Sequence, residues 1–391
     1  MTATARRILL LVPSMHLPGG TERVVHNLSS LFTAQGAEVA IASFDDDVAS
    51  WHFQGEGKRF ALGSIGRWPL SLRWIEYLIQ ANKLASCKRG FRPDVTISNL
   101  WRADLVSLLA GANDRKIALA HINVVGNPTN RLMIRLRALV GLAYRRFDRV
   151  VAVSRPLAAE LGELYRLRSG TCVAIDNFTD LPQATKCLPD DGVRRAVWCG
   201  RLVYEKNLAG LLEVWGQICA KMERVQLLVL GDGPLRGELE ANARKLGLRC
   251  GSDPAEQEAQ IVFMGNVLRP ADYQLSARVL VISSLAEGLP MVLLEALALG
   301  VPVLAADCPS GGVKAALTDT EAEATGLGAI LPIPRPGDLA SQARWVPWLT
   351  TALTDDTELE RWQNAARARS ERFSAKRAAA SWQATIDAVL A

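Results

Sequence analysis

Two carboxylates eight residues apart are the first candidates for chemistry. In the run S-S-L-A-E-G-L-P-M-V-L-L-E-A-L-A-L-G-V-P-V-L-A, Glu287 falls on a loop after an apolar strand and Gly288 permits a turn. Pro290 is well placed to open a helix. Glu295 then sits inside that helix with Met291, Val292, Leu293, Leu294 and Ala296 around it. A carboxylate in such surroundings needs a cation or hydroxyl groups to satisfy it. An arginine would serve. A ribose diol would also serve, with the helix N–H groups from Met291 onward turned to phosphates.

Cations occur where an anion could meet them. W-C-G-R-L-V-Y-E-K-N places Gly200, Arg201 and Lys206 just beyond another strand. The segment is either a solvated loop or a set of fixed donors for a diphosphate. Near the N-terminus, M-H-L-P-G-G-T-E-R-V-V puts Gly19 and Gly20 between a strand and a helix. This is a plain turn, or a phosphate-sized site at a helix N-terminus. His121 closes the run K-I-A-L-A-H and is expected at the carboxyl end of a strand, as a packing residue or as part of a site. The glycines of L-G-D-G-P-L-R do not form a dinucleotide fingerprint, because Gly237 comes one position late. Asp45, Asp46 and Asp47 lack an evident partner for a metal and read as a solvated loop, so no obligatory metal is expected.

The elements that must position these residues alternate. Ile8–Val12, Glu38–Ser43, Val95–Ser98, Ile117–His121 and Arg149–Val153 read as strands of a first unit. Ala196–Cys199, Val225–Leu230, Ile261–Met264, Val279–Ser283 and Val301–Ala305 read as strands of a second. Helical patterns lie between them, the signature of doubly wound parallel sheets. Residues 176–193, rich in Pro, Asp and Thr, mark the junction. The expected domains are 1–180, 181–370 and a C-terminal helix, 371–391, packing back towards the first. Trp362, Phe373 and Trp382 anchor this terminal region.

Composition narrows the class. At 391 residues and 22% charged, the chain is long enough for two cores and has no low-complexity tract. Its seven cysteines are scattered and never spaced C-x-x-C, which favours reduced thiols over a disulfide framework or a zinc cage. The apolar run after Arg6 and Arg7 is cut short by Pro13, so a first strand is expected and not an export signal. The excess of base lies in the first 180 residues, with 23 Lys and Arg against 15 Asp and Glu. No nucleic-acid-binding motif accompanies it, and an anionic membrane surface or lipid-linked substrate fits better. Two stretches could serve: 65–92, with Trp68, Trp74 and Tyr77, and 131–149, with Arg131, Arg135, Arg137, Arg145 and Arg146. Either lies at a membrane interface or packs as an ordinary amphipathic helix.

The ordered series G-G-T-E-R-V-V, His121, V-A-V-S, D-N-F-T-D, G-R-L-x-x-x-K-N, L-G-D-G-P, F-M-G-N-V and E-G-L-P-M-V-L-L-E resembles the retaining glycosyltransferases of the GT-B fold, family 4, along nearly the whole chain. The resemblance implies two Rossmann-like doubly wound domains facing across a cleft. It implies that Glu295 binds the nucleotide ribose and that Glu287 and Gly288, with Leu289, Pro290 and Met291, read the donor. Arg201 and Lys206 would clamp the diphosphate. Gly265, Asn266 and Val267 would lie beside the base, His121 near the donor sugar, and Gly19 and Gly20 against phosphate and acceptor. No cofactor is implied, because the nucleotide sugar, UDP-linked by default, is a co-substrate. The expected activity is transfer of a hexose or N-acetylhexosamine to a lipid-linked or polysaccharide acceptor, in the cytoplasm and at the inner face of the membrane. A GT-B sugar-nucleotide epimerase and a non-catalytic two-lobed sugar-binding protein are the alternatives. One departure stands out: after C-P-S-G, where the family continues G-P-x-E-I-L, this chain has Gly312, Val313, Lys314, Ala315 and Ala316.

Overall fold

The computed structural model describes residues 5–16, 19–53, 55–64, 73–122, 135, 137–180, 184–309, 311–319, 323 and 325–391. Arg131 and all of 65–72 are therefore outside the described residues, as is Ser310. The chain divides into two compact units. One takes the described residues as far as Phe178 together with Ala375–Ala391, and the other takes Thr179–Ser374.

The first unit is built on β1 (Arg7–Val12), β2 (Glu38–Ser43), β3 (Lys58–Ala61), β4 (Val95–Asn99), β5 (Arg115–Ala120), β6 (Arg149–Ala152) and β7 (Cys172–Ala174), in the spatial order 3-2-1-4-5-6-7. Every pairing is parallel. Parallel neighbours require crossovers, and helices such as Gly20–Ala34, Arg73–Phe91 and Leu100–Leu109 supply them. With both faces covered, the central strands carry unbroken apolar runs: Ile8 to Val12 are all buried. The helix Ala375–Leu390 belongs to this unit. Its Trp382 is buried and meets the Phe32 ring edge-on, with centroids 5.7 Å apart.

The second unit repeats the plan with β8 (Arg194–Cys199), β9 (Val225–Leu230), β10 (Cys250–Gly251), β11 (Ile261–Gly265), β12 (Val279–Ile282), β13 (Val303–Ala306) and β14 (Gly328–Leu331), ordered 10-11-9-8-12-13-14. Its core gathers Trp198, Trp215, Trp345 and Trp362 around the sheet. The one polar residue of β9, Gln226, is fully buried and satisfied: it accepts from Arg195 Nε at 3.0 Å and donates to the Glu256 carbonyl at 2.9 Å.

In each sheet the winding reverses once, between β1 and β4 in the first unit and between β8 and β12 in the second. Ligands of doubly wound sheets bind beyond the carboxyl ends of the strands at such a reversal. The two reversals are therefore where this fold places a ligand.

Candidate active site

In the second unit the carboxyl ends of four neighbouring strands carry nearly every residue singled out above. Along the order 11-9-8-12 they are Gly265 with Asn266 and Val267, then Gly231 to Gly233, then Gly200 and Arg201, then Ser283 to Glu287. Across the reversal, Lys206 Nζ forms an ion pair with Glu287 Oε1. Both side chains are largely buried, 26% and 11% exposed. Glu287 Oε1 also accepts from Ser284 Oγ at 2.7 Å. Arg201, by contrast, is exposed.

The pair is held by stitching between the two loops. Ser283 Oγ accepts from Trp198 Nε1 at 3.1 Å and donates to the Lys206 carbonyl at 2.9 Å. Asn207 ends the short turn Tyr204–Lys206 in the left-handed region, φ 50°, and its Nδ2 donates to the carbonyls of Ser283 and Pro334. Leu285 N–H donates to the Glu205 carbonyl at 2.8 Å. These supporting groups escaped the sequence reading. Only the Asn at position 207, able to take the left-handed conformation after a charged turn, carried a signal.

Gly231 and Gly233 have a structural task. A Cβ on Gly231, at φ 125°, would run into the Gly200 carbonyl, and one on Gly233 would lie 2.5 Å from the Leu202 carbonyl. Leu202 N–H donates to Asp232 O at 3.0 Å. The two glycines let the turn after β9 lie flat against the turn that presents Arg201. Gly265, at φ 66°, accepts from Gly231 N–H at 2.7 Å and extends the same seam.

The helix Met291–Leu299 opens at this edge with Pro290 at its N-cap. Met291, Leu293, Leu294, Ala296, Leu297 and Leu299 are buried, whereas Glu295 is only partly so. The sequence suggested a carboxylate surrounded by aliphatic neighbours. The helix instead leaves Val292, Glu295 and Ala298 on its one incompletely covered stripe, because residues three apart share a face. The departing segment 312–316 forms the short helix Gly312–Leu317. Arg369 Nε donates to the Ala316 carbonyl at 2.7 Å and Arg372 Nη1 to that of Ala315 at 2.9 Å, so guanidinium groups complete this helix's C-terminal end.

In the first unit the corresponding edge holds Gly19, Gly20 and His121. Gly19 is the N-cap of the helix Gly20–Ala34, and the Glu22 carboxylate lies where a Cβ on Gly19 would stand. This is the geometry of a glutamate three residues into a helix folding back on its cap. A Cβ on Gly20 would meet nothing within 4 Å. Internal packing therefore leaves the glycine at position 20 unexplained. His121 follows β5, partly buried, with Nε2 2.9 Å from Asn99 Oδ1. Burial pushes its pKa down to about 4, so the ring is neutral at physiological pH.

The three aspartates after β2 are local acceptors. Asp45 takes hydrogen bonds from Ser14 Oγ, Met15 N–H and Ser43 Oγ, each at 2.7 Å, and fastens the turn after β1. Asp46 accepts from Ser64, and Asp47 caps Val48–Ser50. Among the described residues no three His, Cys, Asp or Glu side chains form a group that could hold a metal. No helix among them is long and apolar enough to cross a membrane.

Comparison with known proteins agrees with this layout. A family model described as glycosyl transferases group 1 matches residues 193–346, and one described as Glycosyltransferase Family 4 matches residues 18–183. The chain belongs to the group 1, family 4 glycosyltransferases. This glycosyltransferase is 26% identical over 315 residues to the amylovoran biosynthesis glycosyltransferase AmsD of Erwinia amylovora, covering 78% of this chain and 82% of that one. It is 23% identical over 364 residues to a Campylobacter jejuni N-acetylgalactosaminyltransferase named for a diphospho-undecaprenol-linked acceptor, covering 91% and 92%. Among solved structures, Anabaena HepE in complex with UDP and glucose superposes with a TM-score of 0.75 at 20% identity, over 98% of this chain and 99% of that one. The two parallel seven-stranded sheets with their flanking helices are those of the two-domain α/β GT-B fold. The Family 4 match spans β2 to β7 of the first unit, and the group 1 match spans β8 to β14 of the second.

Proposed function

We propose that this glycosyltransferase moves a hexose or N-acetylhexosamine from a UDP-sugar to a lipid-linked or polysaccharide acceptor, with retention at the anomeric carbon and without an obligatory metal. The observation that carries this reading is the half-buried Lys206–Glu287 pair at the reversal of the second sheet, beside exposed Arg201 and at the opening of the Met291–Leu299 helix. As the anomeric C–O bond breaks, its electrons pass to the departing diphosphate. Arg201, Lys206 and the helix N–H groups are the fixed donors for that charge. The acceptor hydroxyl attacks from the same face, and its proton passes to the leaving phosphate oxygen. Glu287 would meet the sugar hydroxyls, and Glu295, on the half-buried stripe of its helix, would take the ribose diol. His121, Gly19 and Gly20 in the first unit would lie towards the sugar and the acceptor. The UDP held by HepE and the undecaprenol-linked acceptor in the name of the Campylobacter relative support the choice of donor and acceptor classes.

Membrane attachment at the inner leaflet belongs to the same proposal. The helix Arg137–Tyr144 buries Gly141 and Tyr144 but leaves Leu139 and Leu142 64% and 48% exposed, flanked by exposed Arg135, Arg137, Arg145 and Arg146. Apolar side chains among cations suit an anionic headgroup layer.

The test is nucleotide release from a panel of UDP- and GDP-sugars with and without a lipid-linked acceptor. Acceptor-dependent UDP release, with donor binding abolished by Glu295→Ala, is expected. Turnover of a UDP-sugar without any acceptor would replace this reading with an epimerase, and binding without turnover would replace it with a sugar-binding protein.

A further inference from the structure

At the reversal of the first sheet, β4 ends on Asn99 and the next helix starts immediately at Leu100, with no connecting loop. Leu100 adopts φ 69°, a left-handed conformation that costs a non-glycine residue about 1–2 kcal/mol. Asn99 itself is fully buried, between β1 and β5 in the sheet order. A strained step beside a buried polar side chain invites the question of what that side chain holds.

Its two partners answer it. Asn99 Nδ2 donates to the Leu11 carbonyl at 3.1 Å, and Asn99 Oδ1 lies 2.9 Å from His121 Nε2. A backbone carbonyl can only accept, so the amide nitrogen must face Leu11 and the amide oxygen must face the imidazole. An amide oxygen can also only accept. His121 must therefore carry its proton on Nε2, and in the neutral ring Nδ1 is left with the lone pair.

We propose that Asn99 is a positioning residue that locks His121 in the Nε2–H tautomer, so that Nδ1 serves as a hydrogen-bond acceptor for a hydroxyl group of the substrate. The neutral state of the ring favours this, because an imidazolium would offer a donor at both nitrogens. The inference rests on the proposed placement of His121 beside the donor sugar. It adds the polarity of the contact: the group read must be a hydroxyl that donates, and an O-methylated sugar at that position would be rejected.

Nitrogen NMR of the histidine-labelled full chain tests it, with the His121 signals assigned by their loss in His121→Gln. The wild type should show a pyrrole-like Nε2 and a pyridine-like Nδ1 between about pH 6 and 9. In Asn99→Ala the two tautomers should mix, and turnover should fall about tenfold or more while UDP affinity stays within about twofold. Asn99→Asp keeps the acceptor beside Nε2 and adds a negative charge. Its ring should keep the Nε2–H tautomer and titrate at higher pH than the wild-type ring. A wild-type ring protonated on Nδ1, an unmixed tautomer in Asn99→Ala, or an unmoved titration in Asn99→Asp each overturns the proposal. Should Asn99→Ala fail to fold, the titration of Asn99→Asp decides. If His121→Gln turns over like the wild type, the placement of His121 at the sugar fails, whereas the tautomer lock is judged by the spectra alone.

Discussion

Lys206 and Glu287 stand 81 positions apart and meet as an ion pair where β8 and β12 run side by side. Each is also tied to its surroundings, Glu287 by Ser284 Oγ and Lys206 by the hydrogen bond from Ser283 to its carbonyl. A charge pair held in this way acts as a unit. Lys206→Ala and Glu287→Ala should each lower turnover by about 10²–10³-fold. The double variant should lose far less than the product of the two, with a coupling energy of about 0.5–3 kcal/mol. Rates of nucleotide release from the four proteins give the cycle, and strictly multiplicative losses would show that the two side chains work independently.

The flat seam between the turns after β8 and β9 leaves no room for a methyl group at position 231. Gly231→Ala must push the Gly200 carbonyl aside and hold a conformation that suits only glycine, at a cost of about 1–3 kcal/mol. The thermal midpoint should fall and activity should drop, since the displaced backbone presents Arg201. Gly20→Ala is the contrasting variant: its methyl group meets no protein atom. Unchanged unfolding with weakened substrate binding is expected there, and unimpaired kinetics would remove position 20 from the site.

Two groups of the first unit, half-buried His121 and buried Asp104, pull the pH dependence of stability in opposite directions. His121 has a pKa lowered from 6.5 to about 4, so the unfolded chain binds the extra proton between these values and His121 favours folding increasingly as pH rises through that window. Asp104, buried and hydrogen-bonded by Ser98 and Tyr144, has a pKa raised by burial from 3.8 to about 8. The folded chain therefore binds the extra proton from about pH 4 to 8, and stability is lost across that range as pH rises. Each effect has a limiting slope of about 1.4 kcal/mol per pH unit. Urea unfolding should show Asp104→Asn gaining on the wild type as pH rises from 4 to 8. His121→Gln should lose ground to the wild type between pH 4 and 6.5. Parallel curves for wild type and variants would contradict both assignments.

Charge reversal tests the membrane face. Wild type should sediment with vesicles containing anionic lipid at low salt and be released by added salt, because exposed charges are screened over about 10 Å at 0.1 M. Arg135→Glu and Arg137→Glu together should abolish sedimentation with nucleotide release from a soluble acceptor unchanged. Retained sedimentation would leave this helix as a solvated surface.

The sequence made the centre of each sheet legible and left its margins obscure. The ten strands read from apolar runs are all interior, and the four that were not read, β3, β7, β10 and β14, are the edges of the two sheets. An edge strand is covered on fewer sides and needs no continuous apolar run. In β3, Lys58 and Arg59 are exposed, and β10 is only Cys250 and Gly251. β14 is buried but reads G-A-I-L, too short and too small to stand out. For the site, charged residues beside glycines were visible because their types are unusual after a strand. The tasks of Ser283, Asn99 and Asp45 were not visible, because a hydroxyl, amide or carboxylate bonded to distant backbone looks like any other polar residue until the fold brings its partner close.

Because the helix Ala375–Leu390 completes the unit that holds β1, that unit cannot be finished until the second unit's stretch of chain has been made. Until Trp382 has been made, Phe32 lacks its edge-on neighbour. The interval is set by how long the intervening 196 residues, Thr179–Ser374, take to be made. A chain interrupted anywhere in them would lack the piece that seals its own beginning.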